Sequence, residues 1–240
     1  GSEMCIRDRD CKKALEESNG DFEKAVEILR KKGQKVAANR ADRESSEGVV
    51  LAKVSDDNTY GIIISLNCET DFVAKNEEYI QLAQSLASHA LNYSDKDSFL
   101  NSEFEGMKVS DKLLEQTGVI GEKIEIGSFE YLESEFVGSY IHAGSKIASI
   151  VGLSEKFDNA DEVSKDISMQ VAAMNPVALD ENGVSQEIIE KEIEIAKDQL
   201  RQEGKPEEML DNIAKGKLKK FFKENTLVNQ QFIKDNKQSI

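Results

Sequence analysis

Cys68, Asp71 and His142 are the side chains in this sequence with which nucleophilic chemistry could be built: a thiol, a carboxylate and an imidazole. A working triad needs the base beside the nucleophile and the acid beside the base. Nothing in the spacing of these three supports that, and Cys68 at the end of an apolar run reads as a small core residue. The two histidines, His89 and His142, have no metal-ligand partner three or four residues away. No Gly-x-Ser-x-Gly elbow, P-loop or GxGxxG occurs, and Gly144-Ser-Lys146 has the end of a P-loop without its upstream glycine or its strand-loop-helix setting. The chain therefore carries no catalytic, cofactor or metal motif. What it does carry is Thr70-Asp71-Phe72-Val73, polar and aromatic residues placed side by side where two elements meet.

Those elements follow from the flanks. Tyr60-Gly-Ile-Ile-Ile64 has the length and β-branched content of a buried strand. Asn76-Glu-Glu-Tyr-Ile80 reads as a helix start, with Asn76 as cap and two glutamates in the first turn. The tetrapeptide therefore lies on a short strand-to-helix corner. Thr70 and Asp71 can bond local backbone there, which leaves Phe72 either folded into the core or aimed outward.

The run Asn67-Cys-Glu-Thr-Asp-Phe-Val-Ala-Lys75 resembles the signature of the elongation factor Ts family, nucleotide-exchange factors for elongation factor Tu. A second signature fits upstream, in Asp10-Cys-Lys-Lys-Ala-Leu15 followed by Asn19-Gly-Asp21, and weaker similarity continues through Gly138-Ser-Tyr-Ile-His-Ala143 and Gly204-Lys-Pro206. Ser65 stands where the family usually has an acid. The resemblance implies that elongation factor Tu is the partner, GDP-bound or nucleotide-free, and that Thr70, Asp71, Phe72 and Val73 open its nucleotide site. It implies that Ile120, Gly121 and Glu122 on one turn, and His142 on a strand edge, complete the contact surface. An N-terminal module would add contacts through Lys12, Lys13 and Leu15. It further implies an α+β fold: a small ubiquitin-associated-like helical module, a core of two related α/β subdomains with antiparallel sheets, and a protruding antiparallel helical hairpin used in dimerisation or partner contact. A binding scaffold without exchange activity is the alternative.

Composition sets compatible bounds. A net charge of −15 over 240 residues disfavours a nucleic-acid or anionic-membrane footprint, which needs clustered Lys and Arg. No apolar run reaches the length of a membrane span and no signal-peptide core is visible. Cys5, Cys11 and Cys68 form no even framework and read as free thiols of a reducing, cytoplasmic setting.

The chain divides by pattern. Residues 1–40 read as the helical module, with Asp10 capping its first helix, Asp21 the second, Phe22, Ala25, Val26, Ile28 and Leu29 as an apolar face, and Gly33 as the stop. Gly1-Ser-Glu-Met-Cys-Ile-Arg-Asp-Arg9 lacks the amphipathic pattern of the family's preceding helix, so the module is expected to be incomplete. A linker ends near residue 47. The core is expected over 48–135 and 136–184, where strand-strand-helix occurs twice: a hairpin of Val49–Val54 and Tyr60–Cys68 with a helix to Asn92, then Phe136–His142 and Lys146–Leu153 with a helix opened by Asp161. Residues 185–224 read as two helices joined at Gly204-Lys-Pro206. Residues 225–240 read as a truncated, mostly polar segment.

Overall fold

The computed structural model describes residues 11–240, so Asp10 and the segment before it lie outside the described residues. The fold is α+β, built from helices and small antiparallel sheets, and the chain separates into two compact units, residues 1–164 and 165–240.

In the first unit, residues 11–17 form helix α1. Asn19 and Gly20 end it in the left-handed region (φ 52° and 83°), with the Gly20 N–H on the Leu15 carbonyl. Asp21 then caps α2 by accepting from the Lys24 N–H, and α2 runs from Phe22 to Arg40. One expectation fails here. Gly33 does not stop the helix; it is buried inside it, where α2 crosses α6 (Val109–Ile120). A Cβ added to Gly118 of α6 would sit 2.4 Å from the Gly33 Cα, so Gly118 is needed for the close approach of the two backbones, while a Cβ on Gly33 would press on the Leu114 carbonyl at 3.1 Å. Of the apolar face expected on this helix, Ala25 is buried and Phe22 is 73% exposed.

Strands β1 (Glu47–Val54) and β2 (Tyr60–Cys68) pair antiparallel from Glu47↔Cys68 to Val54↔Gly61, and β2 pairs in turn with β5 (Glu125–Glu133), giving the order β1-β2-β5. The β2–β5 register shifts between Ile64 and Leu66, and Ser65, at that shift, accepts the Ser128 N–H. One face of this sheet is covered by helices. Ile62, Ile64, Leu66 and Cys68 pack with Tyr79, Ala83, Leu86, Ala87 and Ala90 of α4 (Glu77–Ala90) and with Phe99 of α5 (Lys96–Asn101). Between α5 and α6 lies a minimal hairpin, β3 (Glu103–Phe104) and β4 (Met107–Lys108), with no forewarning in the sequence pattern. Strands β6 (Phe136–Ile141) and β7 (Ala148–Leu153) form a second hairpin. His142 therefore lies in the connecting turn instead of on a strand edge.

Helix α7 (Ala160–Met174) carries the division between the units. In the second unit, Ser185 caps α8 (Gln186–Gln202), and α9 (Glu207–Asn225) follows after Gly204 at φ 74°. The helices run antiparallel over Ala196, Leu200, Leu210 and Ala214, with Lys197 on Asp211 at 2.8 Å. Residues 225–240 include a 3-10 turn that leads into β8 (Gln231–Phe232) and β9 (Asp235–Ser239), the latter polar and exposed throughout. The fully buried Gln170 of α7 ties this segment down, donating to Gln230 Oε1 and the Gln231 carbonyl and accepting the Ile233 N–H.

A candidate partner-binding corner

Residues Asp71–Ala74 form α3, a single turn between β2 and α4, with Thr70 as its cap (φ −126°, ψ 153°) accepting from the Val73 N–H. The turn sorts its side chains. Ala74 is buried and Val73 packs against the core, which anchors the inner side. Phe72 points away and is 83% exposed, so of the two orientations open to it the outward one is realised. Large aromatics are seldom left so bare. Asp71 holds Lys75 at 2.7 Å; the hydrogen bond from that ammonium and its charge hold the carboxyl below the ordinary carboxylate range.

A turn that short cannot hold itself; the support comes from the end of α6. Ile120 is its last residue and Gly121, at φ 81°, caps it in the left-handed region. That reversal brings Glu122 onto the corner. Its carboxylate accepts the Glu69 and Thr70 N–H groups, both at 3.0 Å, and the Thr70 hydroxyl at 2.7 Å. Glu69 reciprocates by accepting the Lys123 N–H at 2.7 Å, and the Arg40 guanidinium at the end of α2 closes on the same carboxylate at 2.7 Å. Burial pushes the Glu69 carboxyl up, but the Lys123 N–H and the Arg40 charge outweigh it and hold it low. Glu122 was visible only as part of a turn, and Glu69 and Arg40 were missed altogether. The left-handed glycine directly before an acid was the one available signal.

His142 is exposed, its Nδ1 2.9 Å from the Tyr140 hydroxyl. Its turn docks on β1 through the Val50 N–H to the Ser145 carbonyl, and Lys146 pairs with Glu47. The Lys146 ammonium is near enough to Asp71 to favour its ionised form, so this turn belongs to the surroundings of the corner. Lys12, Lys13 and Leu15 are exposed on α1; among the described residues, none of the corner's hydrogen bonds or ion pairs reaches them.

The thiol triad does not assemble. Cys68 is fully buried, its Sγ donates to the Thr70 carbonyl, and burial pushes the thiol up, away from thiolate chemistry. His89 is a half-buried histidine among Tyr93, Phe99 and Phe104, with Nε2 on the Ser102 hydroxyl. An open groove of about 320 Å³ lies between Ala37 of α2, with Ala41 just beyond its end, and Leu113 and Thr117 of α6. The two lysines on its rim, Lys96 and Lys123, are engaged with the Gly127 and Arg43 carbonyls, and Lys123 also pairs with Glu125 at 3.3 Å.

Fold and corner together define an α+β protein whose candidate site is a presented side chain rather than a pocket. The sequence pattern of the family described as Elongation factor TS matches residues 69–240. The chain is 67% identical over 231 residues to Elongation factor Ts of Christiangramia forsetii, a match covering 96% of this chain and 84% of that protein. It is 61% identical over 231 residues to the Flavobacterium psychrophilum protein of the same name, with the same coverage. It is 47% identical over 234 residues to that of Porphyromonas gingivalis, again covering 96% of this chain and 84% of the relative. The chain belongs to the elongation factor Ts family and is a translation elongation factor.

Proposed function

We propose that this chain is a guanine-nucleotide exchange factor that binds elongation factor Tu and speeds release of GDP without covalent chemistry. The observation that carries the reading is Phe72: a large aromatic, 83% exposed, on a corner braced by Glu122, Glu69 and Arg40. Exchange requires the factor to bind the nucleotide-free partner more tightly than the loaded one; by linkage, nucleotide then weakens the factor equally. Burying an exposed Phe between two partner helices gains roughly 2–3 kcal/mol, enough to hold a shifted helix that no longer supports the nucleotide's Mg²⁺. Asp71 accompanies Phe72 in this step, with Thr70 and Val73 shaping the turn beneath them. Ile120, Gly121 and His142 widen the contact, and Lys12, Lys13 and Leu15 of α1 supply a separate one. Residues 185–224 act as an arm available for a second copy of the chain, beside core halves at 48–135 and 136–184. Direct contact with nucleic acid or membrane is not part of the reading, and the site of action is the cytoplasm, where translation runs. None of the described helices is long and apolar enough to cross a membrane.

The test is release of a fluorescent GDP analogue from elongation factor Tu at substoichiometric amounts of this chain. Exchange predicts many GDP released per molecule added. Tight binding with unaltered release would overturn the reading in favour of a scaffold.

A further inference from the structure

Phe72 is 83% exposed, so little packing holds its ring and its direction is inherited from the backbone below. We propose that Glu122 is the positioning residue of the corner, fixing the orientation of Phe72 through a reciprocal clasp with Glu69; the proposal rests on the exchange reading given above.

The geometry is specific. One Glu122 oxygen accepts two consecutive N–H groups, those of Glu69 and Thr70, each at 3.0 Å, and the other accepts the Thr70 hydroxyl at 2.7 Å. Thr70 therefore donates everything it has to Glu122, while its hydroxyl oxygen caps the Val73 N–H of α3. Rotation of Thr70 would carry the first turn of α3, and Phe72 with it. Glu69 answers in the opposite direction by accepting the N–H of Lys123, the residue after Glu122. Segments more than 50 residues apart in sequence are thus crossed by four hydrogen bonds. Two carboxylates in one corner repel, and the Arg40 guanidinium on Glu69 supplies the compensating charge. The side chain itself is dictated. Aspartate is one methylene too short to span the gap. Glutamine keeps a single acceptor oxygen, and its amide would force the Thr70 hydroxyl to accept instead of donate.

The experiment compares wild type, Glu122→Gln and Glu122→Ala for GDP-analogue release from elongation factor Tu over a range of factor concentrations, with amide hydrogen exchange on the same proteins. Loss of charge-assisted hydrogen bonds should lower the saturating release rate roughly tenfold in Glu122→Ala, with partial rescue in Glu122→Gln. The half-saturating concentration should change little. The Glu69 and Thr70 amides should exchange faster while those of β1 and β2 stay protected. Glu122→Gln, which keeps shape and volume, preserves the test if Glu122→Ala fails to fold. A drop confined to affinity at an unchanged saturating rate would make Glu122 a partner contact and overturn the positioning role, as would unaltered protection of the Glu69 and Thr70 amides. Wild type without any stimulated release would overturn the exchange reading and this role together. Wild-type activity matched by both variants would overturn the clasp alone.

Discussion

Replacing Phe72 by Ala separates binding from folding more cleanly than any other change in this chain. At 83% exposed, Phe72 buries only a minor part of its surface in the free protein. Full burial of a Phe is worth roughly 2–3 kcal/mol, so truncation should cost the fold about 0.5 kcal/mol or less. In the complex the same ring would be fully covered. Truncating such a central aromatic removes about 2 kcal/mol or more, close to thirtyfold in a rate or affinity. Stopped-flow release of labelled GDP from elongation factor Tu reads the second quantity, and thermal unfolding followed by circular dichroism reads the first. Phe72→Leu, which keeps most of the apolar area, should fall between wild type and Ala in release while matching both in melting temperature. A melting temperature lowered by many degrees with release preserved would show that the ring is structural and refute the argument.

Three further outcomes follow from the same geometry. Glu69 is held below its ordinary value by the Lys123 N–H and Arg40; its contribution to stability is complete above the unfolded carboxylate value near about 4.3 and is lost as pH falls through the lower folded value. A carboxyl titration by NMR should therefore place Glu69 below a free glutamate, and in Arg40→Ala closer to it; a wild-type midpoint at or above the free value would contradict the pairing. Cys68, fully buried with its thiol pushed up, should resist maleimide in the native protein while the exposed Cys11 reacts, and rapid labelling of Cys68 would show that the β2 end opens readily. Gly118→Ala places a Cβ 2.4 Å from the Gly33 Cα, and overpacking of that kind costs about 1–3 kcal/mol. Amide exchange should quicken over Phe22–Arg40 and leave β1 and β2 unaltered, whereas an unchanged α2 would mean that the crossing adjusts without strain.

How far the sequence could be read depended on whether the governing interaction was local. The corner's boundaries were legible because Thr70 and Asn76 cap within three residues of themselves, and the β1–β2 hairpin because its alternation and its Asp56-Asp57-Asn58 turn lie on one stretch of chain. Gly33 was misread because a glycine that stops a helix and one that admits a neighbouring backbone look alike until the neighbour, Gly118, is known. The apolar stripe of α2 is legible in the sequence, but which part of it is covered is not: Ala25 is buried and Phe22 is exposed. Glu69, Arg40 and Glu122 were hidden for the same reason as Gly33, since each finds its partner 29 to 54 residues away. The Gln170 anchor of residues 225–240 is equally non-local, and no pattern within that segment announces it.

The crossing of α2 and α6 divides α2 into two unequal arms. At Gly33 and Gly118 the two backbones approach with no Cβ between them, so this point is a natural origin from which to measure any tilt of α2. Arg40 lies seven residues beyond that origin, about 10 Å at the rise of an α-helix. A tilt of only about 10° would carry its guanidinium about 2 Å, enough to exceed the reach of a normal hydrogen bond to Glu69. The opposite end of the helix, at Phe22, lies eleven residues from it, about 16 Å by the same rise. A rigid tilt of α2 about that origin would therefore move Arg40 about 1.6-fold less than Phe22, and at the corner it would show as the loss of one ion pair.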